Sequence, residues 1–373
     1  MQGIDGDDMY GGRLGLVWLC LRSFDFDPHR NMLQRAHQLL DQVAQAMKHE
    51  TSNLSHHCSP ITGSIGWSLL NVVLRSHWDD HRQALLDFTA HAERLSDNRN
   101  HPNEMLYGRS GLLYAIRCIQ CRTCVPESIA VRLNALRQSL CMKIIQDGLV
   151  GAQQFTRELM DVIEDQPPLM WSWHRSYYLG AAHGVAGILH SMMSNMDVLS
   201  PADRTRIEQA VLWLARWVDG RGHVASSLPG SGKLLVQWCH GAPGTLMCLT
   251  KAARTFPIHR SLFLSKAEQC ANGVVWTEGL LKKGVGLCHG VSGNVYAFLA
   301  LFRETGNAVW LDRAMYMTSF IVRYPWHETD YVSDAPSSLF LGDAGVLMLY
   351  MDILDCSKSE VWRGGFPCFD DLE

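Results

Sequence analysis

The sequence predicts an all-α fold, an α/α toroid in which inner and outer helices form a double ring. Three observations predict it: a Gly-x-x-Gly element that returns seven times, a short and nearly all-apolar stretch after each one, and amphipathic stretches in between. Successive glycine pairs lie roughly 45 to 57 residues apart, with one longer interval of about 76, which suits two helices and their loops per unit. No strand-like alternation recurs, so the all-α reading prevails over an α/β one. One toroid makes residues 1–373 a single domain.

The glycine pairs are Gly12/Gly15, Gly63/Gly66, Gly108/Gly111, Gly184/Gly187, Gly241/Gly244, Gly290/Gly293 and Gly342/Gly345. The apolar stretches after them run from Leu16 to Leu21, Trp67 to Leu74, Leu112 to Ile119, Ile188 to Met193, Thr245 to Ala252, Val295 to Phe302 and Val346 to Leu354. They are too short to cross a bilayer and too uniformly apolar for a surface helix, so they read as helices buried on most sides. The glycines are expected to adopt backbone angles closed to other residues where the helix starts, and to let neighbouring backbones approach. Outer helices are expected between them. One runs from Asn31 to Lys48, with Leu33, Ala36, Leu40, Val43 and Met47 at helical spacing. The clearest runs from Ser200 to Gly220: Ser200 is the N-cap, Pro201 takes the first helical position, Asp203 lies in the first turn, and Ile207, Ala210, Val211, Leu214, Ala215 and Val218 mark one face. Inner helices that all start at glycine loops bring several positive helix ends to one mouth of the ring, which suits an anionic ligand.

Composition agrees with a large packed core: 47% of the 373 residues are hydrophobic. The formal net charge is -4, and Lys and Arg are scattered, so no electrostatic footprint for nucleic acid is visible. The polar, acidic start through Asp8 lacks the basic flank and apolar segment of a signal peptide, and no apolar run reaches the roughly 18 to 20 residues of a transmembrane helix. A cytoplasmic location is expected, with peripheral contact to the plasma membrane left open. In a reducing compartment the 12 cysteines are ligands or buried thiols rather than a disulfide framework.

Function is expected where the glycine loops are decorated. The fifth reads Trp238-Cys239-His240-Gly241 and the sixth Leu287-Cys288-His289-Gly290, so two Cys-His pairs occupy equivalent places in adjacent repeats. Together they can supply thiolate and imidazole ligands to zinc, and spacing alone leaves open which three of the four bind. Three protein ligands would leave a fourth position free for chemistry. His183 precedes Gly184 in the register held by His240 and His289, which marks it as a general acid or base. Cys118, Cys121 and Cys124 are read as buried thiols at the end of an apolar helix.

At these residues the sequence resembles the eukaryotic LanC-like (lanthionine synthetase C-like) family. The matching stretches include His101 to Gly111 (HPNEMLYGRSG), Leu179 to Ile188 (LGAAHGVAGI), Trp238 to Gly244 (WCHGAPG), Gly279 to Gly284 (GLLKKG) and Gly286 to Asn294 (GLCHGVSGN), and the similarity extends over nearly the whole chain. The resemblance implies one zinc ion held by Cys239, Cys288 and His289, with His240 beside the site, and His183 as the active-site histidine. It implies glutathione binding at Lys283 and at the segment from Tyr331 to Asp334. It also implies that glutathione is a co-substrate, added to dehydroalanine or dehydrobutyrine that arises from phosphorylated Ser or Thr in peptides or proteins. Lys283 and Arg109 would steady the phosphate. Relative to the family, the first outer helix and an Arg tied to glutathione are absent, Tyr331 stands where the family has Arg, and Leu341 where it has Glu.

Zinc-dependent thiol addition is thus the leading expectation. The alternative is a non-catalytic zinc- and glutathione-binding adaptor, in keeping with the missing cations. Other toroid chemistries, thiol prenylation or sugar hydrolysis, rank lower, because hydrolysis needs a facing pair of carboxylates and these loops offer Cys and His.

Overall fold

A computed structural model of the chain describes residues 6–28, 30–230, 234–281, 283–323, 333, 335–358 and 364–372. Its helices are α1 (Arg13–Phe26), α2 (Arg30–Lys48), α3 (Ile65–Ser76), α4 (Arg82–Asp97), α5 (Arg109–Arg122), α6 (Glu127–Leu159), α7 (Val185–Met193), α8 (Pro201–Arg216), α9 (Ala242–Thr255), α10 (Arg260–Cys270), α11 (Trp276–Glu278), α12 (Val291–Thr305), α13 (Ala308–Arg323) and α14 (Asp343–Lys358). A π-helical turn, Ala271–Val275, joins α10 to α11.

The helices that follow the glycine pairs are α1, α3, α5, α7, α9, α12 and α14. Each packs on the next, and α14 packs back on α1, so the inner ring closes. Every residue of α7 is buried, as is α9 from Ala242 to Ala253, which is what nearly all-apolar stretches require. Around them, among the described residues, lie six outer elements: α2, α4, α6, α8, α10 with α11, and α13. Helix α2 shows how these are built: Leu33, Ala36, Leu40 and Val43 are buried along one stripe, and the opposite face is polar. The expected cap is present on α8, where Ser200 Oγ accepts from Asp203 N at 3.2 Å. That helix stops at Arg216 rather than Gly220. The long third interval holds α6, 33 residues in one helix. A two-residue antiparallel pair, β1 (Tyr177–Tyr178) with β2 (Ser227–Leu228), is the one sheet among the described residues.

One expectation about the glycines needs correction. Gly12, Gly108, Gly184 and Gly290 start their helices in extended backbone open to any residue, and Gly241, with φ 108°, is the helix-starting glycine in the left-handed region. What most of them provide is close approach. A Cβ on Gly111 would collide with Ser59 of the second loop, and one on Gly244 with Ala181 of the fourth.

That close approach lets the seven loops bond to one another. Tyr10 N donates to Ile61 O (3.1 Å), Cys58 N to Tyr107 O (3.2 Å), Met105 N to Ala182 O (3.0 Å), Ala182 N to Cys239 O (3.3 Å), Cys239 N to Cys288 O (3.2 Å), Cys288 N to Phe340 O (2.9 Å) and Phe340 N to Tyr10 O (3.1 Å). These links form a closed backbone belt around the mouth of the ring. The segment 364–372 fills the space beneath it. Phe366 stacks on Trp238 at 4.5 Å, Phe369 stacks on His190 at 4.0 Å, and Tyr114 donates to Asp371 at 2.8 Å.

Candidate metal centre

The belt explains why two distant Cys-His pairs meet. Cys239 and Cys288 each stand two residues before their glycine, in adjacent loops tied by the bond from Cys239 N to Cys288 O. Ligand atoms of Cys239, Cys288 and His289 all lie within 4.8 Å of one another, and no other such cluster occurs among the described residues. Both cysteines are buried, and His289 is half-buried at the cavity wall.

The donor set fits zinc. Tetrahedral zinc–sulfur bonds of about 2.3 Å bring two sulfurs and an imidazole nitrogen to spacings that this cluster already spans. Cys239 Sγ donates to Gln237 Oε1 at 3.6 Å, and the neighbouring sulfur, with His289, pulls Cys288 below the usual thiol range, while the same neighbour with burial pushes Cys239 well above it. His240 faces the same space, and burial, followed by its neighbours His183 and Lys283, lowers it to about 4, so it is neutral near pH 7.

The cluster opens into a cavity of about 490 Å³, large enough for a tripeptide-sized ligand. His183 lines it in the expected register. Its Nδ1 lies 2.7 Å from Glu104 Oε2, and the Glu104 carboxylate also accepts from Leu106 N at 2.9 Å and Tyr107 N at 2.6 Å. A buried carboxylate that accepts from two amides remains an acceptor, so His183 Nδ1 carries the proton and Nε2 is left for the cavity. The Tyr107 ring stacks on His183 at 5.6 Å and 14°, and the His240 ring lies 6.0 Å away.

Lys283 is exposed and lines the cavity, where its charge acts on Cys239. Arg109 does not line it, contrary to the phosphate role expected. It is buried, with Nη1 donating to Asn103 at 2.7 Å and Asp147 at 2.9 Å and Nη2 donating to the Arg99 carbonyl at 3.0 Å, so its charge braces the third loop. Tyr331 and Asp334 lie outside the described residues. Of the three cysteines read as buried, Cys118 is buried, while Cys121, in the last turn of α5, and Cys124, beyond its end at Arg122, are exposed.

Sequence reasoning missed Glu104, Tyr10 and Tyr107. Glu104 gives no signal beyond its place in a matching stretch. Tyr10 has one: it stands two residues before Gly12, the register of Cys239 and Cys288. Its ring stacks on Phe340 at 5.1 Å and 18°, and it lines the same cavity as Cys288.

Comparison with known proteins agrees with this architecture. A family model described as lanthionine synthetase C-like protein matches residues 3–367. Glutathione S-transferase LANCL1 of Danio rerio is 34% identical over 271 residues, 72% of this chain and 62% of that protein, so the match spans about three fifths of the relative's length. LanC-like protein GCL1 of Arabidopsis thaliana is 28% identical over 364 residues, 93% of this chain and 78% of that protein. Among solved structures, nisin cyclase superposes with a TM-score of 0.70 at 14% identity, covering 93% of this chain and 88% of its own, which is a likeness of fold. No helix of the described residues is long and apolar enough to cross a membrane.

Proposed function

Because this chain belongs to the lanthionine synthetase C-like family, we propose that it is an enzyme of thiol addition, whose single toroid domain binds one zinc ion and joins glutathione to dehydroalanine or dehydrobutyrine residues of peptides or proteins. The observation that carries this reading is a two-cysteine, one-histidine cluster at the wall of a cavity that also holds a carboxylate-backed histidine. The name of the zebrafish relative, a glutathione S-transferase, supports glutathione as the thiol.

Zinc, held by Cys239, Cys288 and His289, would supply the charge that lowers the pKa of an incoming thiol. His183 Nε2 takes the thiol proton, while Glu104 holds the ring and stabilises the imidazolium that results. The sulfur forms its bond to the β-carbon, and the carbon–carbon π pair moves to give the enolate. His183 then returns the proton to the α-carbon, so a thiol and an alkene become a thioether with no oxidant or reductant. Lys283, at the exposed side of the cavity, offers a cation to a substrate carboxylate or phosphate.

The test is to incubate purified, zinc-loaded protein with glutathione and a dehydroalanine peptide and to follow the adduct by mass spectrometry. Turnover is expected from the wild type and not from His183→Ala. No adduct above the uncatalysed rate, from folded and metal-loaded protein, would overturn the reading.

A further inference from the structure

We propose that Asp8 selects the thiol: its carboxylate receives the ammonium of an amino-bearing thiol, so that the cavity prefers glutathione to a thiol of the same length without that group. This rests on the reading of the cavity as a glutathione site.

Charge sets the requirement. Lys283 and the imidazoles of His57, His183, His240 and His289 line the cavity, and Asp8 is the one carboxylate among the described residues that do so. Glutathione carries two carboxylates and one ammonium at neutral pH. A carboxylate on the wall of a cavity that takes such a ligand repels it, unless the ammonium is the group that comes to that wall.

The local structure leaves Asp8 without a cation of its own. Its neighbour Asp7 is buried and holds Arg13, whose Nε donates to Asp7 Oδ1 at 2.7 Å. No cation pairs with Asp8 among the described residues. Asp8 Oδ1 accepts from Gly11 N at 2.7 Å, which holds the side chain to its loop, and a carboxylate has about four acceptor positions, so this bond leaves room for a ligand. Asp8 is half-buried, and burial raises its pKa; a bound ammonium would favour the charged form again. The other polar side chains of that wall are engaged: Ser55 Oγ donates to Thr62 O at 2.9 Å, Thr62 Oγ1 donates to Leu106 O at 2.7 Å, and Asn53 Oδ1 accepts from Asp7 N at 2.8 Å. Ring closure brings this wall to the metal centre. Cys288 N donates to Phe340 O and Phe340 N to Tyr10 O, so the first loop reaches the sixth across the seventh, and a ligand whose sulfur lies at the cysteines shares its cavity with Asp8.

Asp8→Asn keeps an oxygen for Gly11 N and removes the charge. Zinc-loaded protein is titrated calorimetrically with glutathione and with glutaryl-Cys-Gly, which is glutathione without its amino group. The wild type should bind glutathione about tenfold more tightly, the worth of one charge-assisted hydrogen bond, and Asp8→Asn should bind the two alike. In turnover with a dehydroalanine peptide, the loss in Asp8→Asn should fall on KM for glutathione rather than on kcat, and glutaryl-Cys-Gly should show no such loss. Equal weakening of both thiols in folded, zinc-loaded Asp8→Asn makes Asp8 a brace of its loop and overturns the proposal, as does unchanged binding of glutathione. A wild type that binds and turns over both thiols alike removes this inference and keeps thiol addition, whereas one that forms no adduct with either thiol removes both.

Discussion

At the scale of single residues, the site depends on which atoms are paired. Cys288 lies between its two co-ligands, with the ligand atoms of Cys239, Cys288 and His289 within 4.8 Å of one another. Replacement by Ala should lower bound zinc from about one per chain to near none, measured by metal analysis, because two ligands do not close a zinc site. Glu104 is the group behind His183. Glu104→Gln should leave zinc content unchanged and lower kcat by about 10-fold or more, with the pH–rate profile displaced, since an amide can hold the ring but not stabilise its cation. Stoichiometric zinc in Cys288→Ala, or an unmoved pH profile in Glu104→Gln, would contradict these roles.

At the scale of elements, the chain spends its glycines on contact rather than on unusual angles. Gly187 lies against the Ala181 backbone of its own loop, and a methyl group there would have to displace the segment whose next residue, Ala182, donates to Cys239 O. Gly187→Ala should therefore cost roughly 1–3 kcal/mol, the usual range for overpacking, by urea denaturation. It should also weaken metal binding, although residue 187 touches no ligand. The cap of α8 makes a control far from the belt. Ser200→Ala should cost about 1 kcal/mol and leave metal binding as it was.

At the scale of the whole molecule, stability and site share one support, the segment 364–372 packed under the belt. Phe366 lies against Trp238, the residue before Cys239, so Phe366→Ala should cost about 3–5 kcal/mol and loosen the centre above it. The same segment carries a pH dependence. Burial raises Asp371 from 3.8 to about 6, against the opposing pull of Arg122 and the bond from Tyr114. The folded chain thus binds this proton more tightly than the unfolded chain, and the contribution of Asp371 to stability falls as pH rises from 3.8 to about 6. Asp371→Asn should flatten that stretch of the stability curve, as measured by urea denaturation between pH 4 and 7.

The seven-fold repeat, the buried character of the inner helices and the Cys-His donors of the fifth and sixth loops were legible in the sequence. Each is a local property: glycines at a fixed spacing, apolar runs of helical length, and a Cys-His pair in register with another. The cap at Ser200 was legible for the same reason. The role of Arg109 was not, because only packing shows that Asn103 and Asp147 take its hydrogen bonds first. Nor were Glu104 behind His183 and Tyr10 in one cavity with Cys288, pairs that lie 79 and 278 positions apart in the chain. Sequence by itself determined the double ring and the four Cys and His side chains from which a metal site could be drawn, since periodicity and donor type belong to the residues themselves. Tertiary structure alone decided which side chains orient and restrain those atoms, because a ring closes through hydrogen bonds between loops, and those bonds set distances that no spacing along the chain encodes.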